Sequence, residues 1–599
     1  MCGIIGSNGK SKCIPRLIKA LETLEYRGYD SAGIAYVKNG SVVIKKEIGK
    51  IKNLKNNINM DEETYLGIGH TRWATNGKVN TLNAHPHKVG VITLVHNGII
   101  ENYIQIKNKL LEKGYSFKTQ TDTEVAAALL DYLYKDSKDM IKAINKASKI
   151  IRGSYAFAIL VDKDDSLYAS RCASPLIAAI SNDATFVASD VPAVLAYTNK
   201  YILLDEYDIV KLKQDEILIY DKDLNIKENK IKIFEGQMDA ASKGEYEHFM
   251  LKEIHEQDKV FKDTISYYFD EKIESLEKNF GFIKNFQKID IVACGSAYHA
   301  GMVGKYLLEN FANIPTSIEV ASEYKYKKCF YDKNTLVILI SQSGETADTL
   351  AALRKAKEDG ITTMAIVNVI GSSIAREADY KIYIKAGFEI AVATTKAYLA
   401  QVAIFSLLTL YLGYKNNYIP NEKFKEIKNE IINIPNYIKE TINNKNYLNI
   451  ANKIYNKKEI FFIGRGLDYA LCQEASLKLK EISYINSVAY QAGELKHGTI
   501  SLIEKGTPVI AISTDDYLKE KTISNIKEVK ARGAYVILVT NDIPNEKFYD
   551  DIIIIKKLSL ITEAILTIIP LQLLAYEVAK KNNCDIDKPR NLAKSVTVE

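Results

Sequence analysis

The sequence is short of net charge, of paired cysteines, of long uncharged apolar runs and of tryptophan, and the first three shortages each exclude something. Over 599 residues, 80 basic and 74 acidic side chains leave a formal charge of only +6. Lysine and glutamate are interleaved, as in Lys519-Glu520-Lys521 and Lys527-Glu528-Val529-Lys530. That is the pattern of solvated helix faces, so no nucleic-acid partner is expected. Seven cysteines, at 2, 13, 172, 294, 329, 472 and 584, form no CxxC pair and are odd in number. The start offers neither a basic n-region nor an apolar h-region. A reducing, cytoplasmic setting is therefore expected rather than a disulfide framework, and Cys13, Cys172 and Cys329 read as buried structural thiols. Two apolar stretches, 397–412 and 558–579, are interrupted by Gln401, Ser406 and Thr409 and by Glu563, Pro570, Gln572 and Glu577. A spanning segment wants ~20 nearly uncharged residues, so both are expected to be buried helices, with no membrane partner. No His, Cys, Asp or Glu cluster has metal-ligand spacing. His248 and His255, on a mixed-charge stretch over 245–277 read as helix, are expected to be solvated or locally paired. No metal and no cofactor is called for.

What remains is an ordinary globular composition, 47% hydrophobic and 26% charged, long enough for roughly three or four domains. Its most informative stretch is 336–350. Residues 336–340 are a continuous apolar run, as in a parallel strand buried on both faces. Ser341, Gln342, Ser343, Gly344, Glu345 and Thr346 follow, then a helical pattern over 347–356. Hydroxyls and free N–H groups at a helix N-terminus converge on one point and suit a phosphate. A lone serine there would read as a helix cap; three hydroxyls in six residues with a glycine read as a phosphate cradle.

The N-terminus reads Met1-Cys2-Gly3-Ile4-Ile5-Gly6. Removal of Met1 would leave Cys2 with a free α-amine, whose ordinary pKa near ~8 lets it act as a base at neutral pH. Nucleophile and base would then belong to one residue. Five polar, glycine-rich stretches follow: 25–33 (Glu-Tyr-Arg-Gly-Tyr-Asp-Ser-Ala-Gly), 69–77 with the single tryptophan Trp73, His85-Pro86-His87, 95–102 with Asn97-Gly98, and Thr121-Asp122-Thr123-Glu124. Asn97-Gly98 alone is a hairpin-turn signal. Together, in this order behind Cys2, they resemble the glutaminase domain of the N-terminal-nucleophile amidotransferases over about the first 240 residues. The resemblance implies that Cys2 attacks the side-chain amide of glutamine. Asn97 and the Gly98 N–H would hold the oxyanion, Arg72 the α-carboxylate and Asp122 the α-ammonium. Arg27 and Thr75 would support them, and Trp73 would close the route of released ammonia. Asn76 stands where the family generally has His, which predicts altered loop packing. Strands are expected at 156–161, 184–188, 209–212 and 216–220, in an antiparallel-rich layered domain, with a small polar linker at 236–244.

From 288 a doubly wound pattern begins: a strand at 289–293, the turn Cys294-Gly295-Ser296-Ala297, a helix to 311, a strand at 315–320 and then the cradle. About 170 residues on it repeats, with a strand at 459–463, the turn Gly464-Arg465-Gly466, a helix at 469–482 and a strand at 507–512 leading to Ser513-Thr514. Tyr469 stands where a dinucleotide fingerprint needs its third glycine, which sets that reading aside. The cradle, Cys294-Gly295 and the duplication resemble sugar isomerase (SIS) domains. With the glutaminase in front, and with 478–484, 492–498 and the tail 589–599, the whole chain resembles the glutamine–fructose-6-phosphate aminotransferases. The implied fold is α/β, an Ntn-hydrolase (αββα) glutaminase domain followed by two doubly wound SIS domains. Their expected bounds are 1–239, a linker and leading helix over 240–284, then 285–425, 450–587 and a tail, 588–599, that completes the sugar site.

The resemblance implies substrates glutamine and fructose 6-phosphate and residues for each task. Glu481 would shuttle a proton between C1 and C2, with Glu474 and Lys478 on the same helix face. His497, arriving from a neighbouring subunit of a homodimer, would open the sugar ring. Lys594 would form a Schiff base with the sugar carbonyl. Ser341, Gln342, Ser343 and Thr346 would hold the phosphate and Val392 would line the pocket. Ala297 replaces a usual hydroxyl, which predicts one missing sugar hydrogen bond. Two other readings stay open: an amidotransferase of this layout acting on another sugar phosphate, and a phosphosugar-binding regulator.

Overall fold

A computed structural model describes residues 2–74, 77–234, 242–329 and 334–597. Thr75, Asn76 and most of the expected linker, residues 236–241, lie outside them. The chain forms two compact units, Met1–Ser242 with Ala593–Glu599, and Lys243–Leu592.

The first unit is built on two antiparallel sheets. One runs in the order Ile231–Ile233, Lys200–Leu203, Ile177–Ile180, Ala184–Ala188, Gly3–Gly9, Leu66–Arg72, Ser31–Lys38, Ser41–Ile48. The other runs Ile226–Lys227, Ile217–Tyr220, Ile209–Leu212, Leu167–Cys172, Gly153–Val161, Ile92–Ile100, His87–Val89. Side chains alternate faces along a strand, and Ile4 and Ile5 show the result. Ile4 joins Val95, Ala156 and Leu167 in an apolar layer between the sheets. Ile5 packs with Leu17 and Leu21 of the helix Cys13–Leu24 on the opposite face. The second sheet is covered in the same way, Ile92 and Leu94 packing with Val125 and Leu129 of the helix Asp122–Ser137. The layers are therefore αββα.

The second unit repeats one five-stranded parallel sheet twice. The first runs Thr316–Val320, Lys288–Ala293, Thr335–Ser341, Thr362–Val367, Tyr380–Tyr383, and the second Asn486–Gln491, Glu459–Gly464, Pro508–Ser513, Tyr535–Thr540, Asp551–Ile554. Each has the strand order 2-1-3-4-5, which places a topological switch point between the carboxyl ends of strands 1 and 3. The helices Lys396–Lys415 and Leu560–Lys581 are long and apolar enough to cross a membrane, and each is 94% buried inside the fold.

Three expectations need correction. The stretch 245–277 does not form one helix but contributes to three, Phe249–His255, Gln257–Tyr268 and Ile273–Phe280. The chain turns extended at Phe269 and left-handed at Glu271, which ends helical hydrogen bonding between the last two. Asn97-Gly98 is not a turn but lies inside the strand Ile92–Ile100. Of the three cysteines read as buried, Cys13 is, whereas Cys172 and Cys329 are half-buried.

Candidate functional site

In the first unit the candidate nucleophile sits at the head of the central strand Gly3–Gly9. That strand pairs with Leu66–Arg72, Gly3 opposite Thr71, and the Gly3 N–H donates to Thr71 Oγ1 at 3.1 Å. Cys2 is thereby laid beside Trp73, whose backbone N–H donates to Cys2 Sγ at 3.3 Å. Burial pushes the Cys2 thiol up from its ordinary range, so it needs a base and donors to become a thiolate. Asn97 reaches across from the second sheet and its Nδ2 donates to the Cys2 carbonyl at 2.8 Å. Gly98 follows with φ +126°, and a Cβ there would stand 2.1 Å from the Ser154 carbonyl oxygen. Only glycine allows the two strands to close at this point, which is why an Asn-Gly pair is found in mid-strand.

The side chains expected to grip glutamine are near this thiol. Arg72 ends the strand Leu66–Arg72 and is 4% exposed. Burial lowers its pKa, and the charges of Cys2, Asp30 and Asp122 oppose that effect. Asp122 opens the helix Asp122–Ser137, where Thr121 accepts from the Glu124 N–H and Glu124 reaches back to the N–H groups of Lys118 and Thr119. A Thr-x-x-Glu start of this kind fixes a helix entry, and Asp122 Oδ2 accepts the N–H of Ile100, two residues beyond Gly98, at 2.9 Å. Arg27 lies one step back, paired with Asp190 at 2.8 Å. Thr75 lies outside the described residues. Asp30, in the stretch 25–33, accepts the Ala74 N–H at 2.8 Å, and no local pattern set it apart from its neighbours.

In the second unit the cradle occupies the switch point of the first sheet. Ser341 ends the strand Thr335–Ser341; its Oγ lies 2.9 Å from Thr346 Oγ1 and accepts the Gly344 N–H at 3.0 Å. Ser343 Oγ accepts the Glu345 N–H at 3.2 Å. Gly344 has φ +65°, and a Cβ there would be 2.0 Å from Ser372 Oγ. Thr346 precedes the helix Ala347–Glu358, whose positive end faces the loop. Gln342 is half-buried and its carbonyl accepts the Asn368 N–H at 3.1 Å. Val392 is 6% exposed and tied through its N–H to the Asp587 carbonyl at 3.0 Å.

The helix Leu467–Ser483 of the second repeat carries the acid–base candidates. Lys478 is fully buried between Glu481, at 2.6 Å, and Glu474, at 3.5 Å. Burial alone would lower its pKa, but the two carboxylates outweigh it and hold the ammonium charged. Sequence reasoning missed two partners from the first repeat. Ser296 donates to Glu474 at 2.9 Å and accepts from Lys478 at 2.9 Å, and His299 Nδ1 lies 2.8 Å from the other Glu474 oxygen. Their only signal was proximity to Cys294-Gly295, since the contact spans more than 170 residues. Ala297, on the same helix Gly295–Ala312, packs half-buried against the apolar core. His497 ends the short turn Glu494–His497 and is exposed. Lys594 is half-buried in the tail Ala593–Glu599 that groups with the first unit.

Comparison with known proteins gives this geometry a context. A glutamine amidotransferase domain model matches residues 83–196, and a SIS domain model matches residues 282–411 and 453–580. Glutamine–fructose-6-phosphate aminotransferase (isomerizing) from Caldanaerobacter subterraneus subsp. tengcongensis is 48% identical over the full length of both chains. The protein of the same name from Clostridium tetani is 47% identical, again over the whole of both chains. Among solved structures, the C-terminal domain of glucosamine-fructose-6-phosphate aminotransferase from Francisella tularensis is 37% identical, with a TM-score of 0.55. It is matched over all of its length and covers 58% of this chain. Fold and matches together define a glutamine amidotransferase domain joined to a pair of SIS domains. The chain belongs to the glutamine–fructose-6-phosphate aminotransferase (isomerizing) family.

Proposed function

We propose that the protein converts fructose 6-phosphate and glutamine into glucosamine 6-phosphate and glutamate, passing ammonia internally from the first unit to the sugar. The observation carrying this reading is the end-to-end identity with enzymes of that name, reached by a chain that sets Asn97 Nδ2 beside Cys2. With Met1 removed, the Cys2 α-amine takes the thiol proton and Sγ attacks the amide carbon. Asn97 and the Gly98 N–H hold the oxyanion while ammonia leaves, and water releases glutamate from the thioester. Arg72 and Asp122 hold the two ends of the amino acid, supported by Arg27 and Thr75, and Trp73 closes the ammonia route.

At the sugar, Ser341, Gln342, Ser343 and Thr346 hold the phosphate, with Val392 against the chain of carbons. His497 opens the ring, and Lys594 condenses with the C2 carbonyl, losing water. Ammonia then displaces the lysine, and Glu481 moves a proton from C1 to C2, leaving an aldehyde at C1. Lys478 and Glu474 hold Glu481 in place. We assign the glutaminase to 1–239, a linker and leading helix to 240–284, the two SIS domains to 285–425 and 450–587, and the tail to 588–599. A cytoplasmic homodimer belongs to the same proposal, His497 serving the neighbouring subunit; a monomer by light scattering would remove that part.

The test is product identification by mass spectrometry with amide-labelled glutamine. Labelled glucosamine 6-phosphate is expected from the wild type. Cys2→Ala should yield none from glutamine while sugar isomerisation persists, and Lys594→Ala should stop amino-sugar formation while glutamine hydrolysis persists. Unlabelled or absent product from the wild type would sink the proposal.

A further inference from the structure

We propose that His70 is a positioning residue that locks the amide of Asn97 in the orientation needed to hold an oxyanion. It is 1% exposed, on the strand Leu66–Arg72. Its Nε2 lies 3.1 Å from the His96 carbonyl oxygen and 3.1 Å from Asn97 Oδ1. A carbonyl oxygen can only accept, so Nε2 must carry the ring proton. A donor at Nε2 in turn requires that Asn97 present its oxygen to the ring, which turns Nδ2 the other way. On that other side the Cys2 carbonyl stands 2.8 Å from Nδ2 and independently requires a donor. Two unrelated backbone carbonyls thus impose the same amide orientation, with His70 as the link between one of them and Asn97.

The ring has little freedom to do otherwise. His70 Nδ1 is buried without a hydrogen-bond partner among the described residues, and the His85 ring stacks on its face at 4.0 Å and 12°. Burial, with Arg72 nearby, drives the His70 pKa down to about 3, so a neutral Nε2–H donor persists through the working range. Without that donor, rotating the Asn97 amide would bring its oxygen toward the site of developing negative charge. The loss would fall on the transition state and not on substrate affinity.

The inference rests on the glutaminase reading, so the assay is glutamate release by full-length protein, with sugar isomerisation as the folding control. His70→Leu should lower kcat for glutamine about 10- to 100-fold, short of full loss of an oxyanion donor, and leave KM within about twofold. His70→Gln, which offers an N–H at similar reach, should recover kcat to within about fivefold of wild type. In an Asn97→Ala background, His70→Leu should add nothing. Wild-type kcat in His70→Leu, equal losses in both His70 variants, or a full further loss beyond Asn97→Ala would overturn the proposal. If His70→Leu does not fold, His70→Gln decides by the same fivefold criterion; if neither folds, His70 is a packing residue and the idea falls. A wild type that releases no glutamate would instead defeat the glutaminase reading.

Discussion

The two parallel sheets of the second unit share strand order and switch point, yet they treat that point in opposite ways. In the first, the loop after strand 3 turns Ser341, Ser343 and Thr346 inward on a left-handed Gly344. In the second, the matching loop at Thr514 is closed by a carboxylate from its own repeat. Asp468, in the first turn of the helix Leu467–Ser483, accepts the Thr514 hydroxyl at 2.5 Å and its N–H at 2.9 Å. Asp515 is taken up by the Tyr306 hydroxyl at 2.9 Å. The two donors of Thr514 are thereby already taken up by a carboxylate of the chain itself. The second repeat contributes differently: its helix lends Glu474, Lys478 and Glu481 to a network with Ser296 and His299 of the first. The duplicated fold therefore carries two different loops at its two switch points.

The largest expected effect concerns that lent helix. Lys478→Met would take the cation from the buried Glu474 and the half-buried Glu481, a loss of ~3 kcal/mol, the low end of the usual cost of orphaning a buried charge, because Ser296 and His299 still bond Glu474. Urea unfolding measures it, and a loss below ~1 kcal/mol would mean that the network is not held by charge. Next comes the open loop. Gly344→Ala combines a left-handed backbone with a clash at Ser372 Oγ and should lower kcat/KM for fructose 6-phosphate about 10- to 100-fold, the equivalent of ~1–3 kcal/mol of strain. Ser513→Ala in the filled repeat should change it less than about twofold. Equal losses would erase the distinction between the sheets.

The smallest effect concerns the built-in anion. Burial raises the Asp468 carboxyl to about 6, the Thr514 bonds only partly offsetting it. Between the ordinary carboxylate range and 6 the folded chain keeps a proton that the unfolded chain has lost, so this group's contribution to stability declines as pH rises through that window. Asp468→Asn does not titrate but sets an amide against two Thr514 donors, which costs about 1–3 kcal/mol at every pH. Its deficit against wild type should therefore shrink by ~1 kcal/mol between pH 5 and 7. A pH-independent deficit in thermal melts would show that Asp468 stays ionised throughout.

Legibility in the sequence followed the range of the interaction. Strands buried on both faces read as apolar runs, so 336–340 and 459–463 fell within a residue or so of the observed Thr335–Ser341 and Glu459–Gly464. The i, i+4 and i+3 spacings of Glu474, Lys478 and Glu481 were legible because a helix face is a local property. Asn97-Gly98 misled because a turn signal and a close strand approach ask for the same glycine, and only Ser154, 56 residues away, distinguishes them. His70, Ser296 and His299 carried no local pattern, since their partners are brought in by strand pairing and by packing between repeats. Whether Asp468 filled a loop or decorated a surface was equally hidden.

The backbone of Trp73 touches Cys2 Sγ from both its N–H and its carbonyl, and it is the one tryptophan among 38 tyrosines. Excited at the red edge, where phenols do not absorb, the native protein thus emits from a single indole, borne by the residue whose backbone meets the thiol. Acylation or alkylation of that sulfur should be visible as a change in emission, with no dye attached, giving pre-steady-state access to a step otherwise inferred from products.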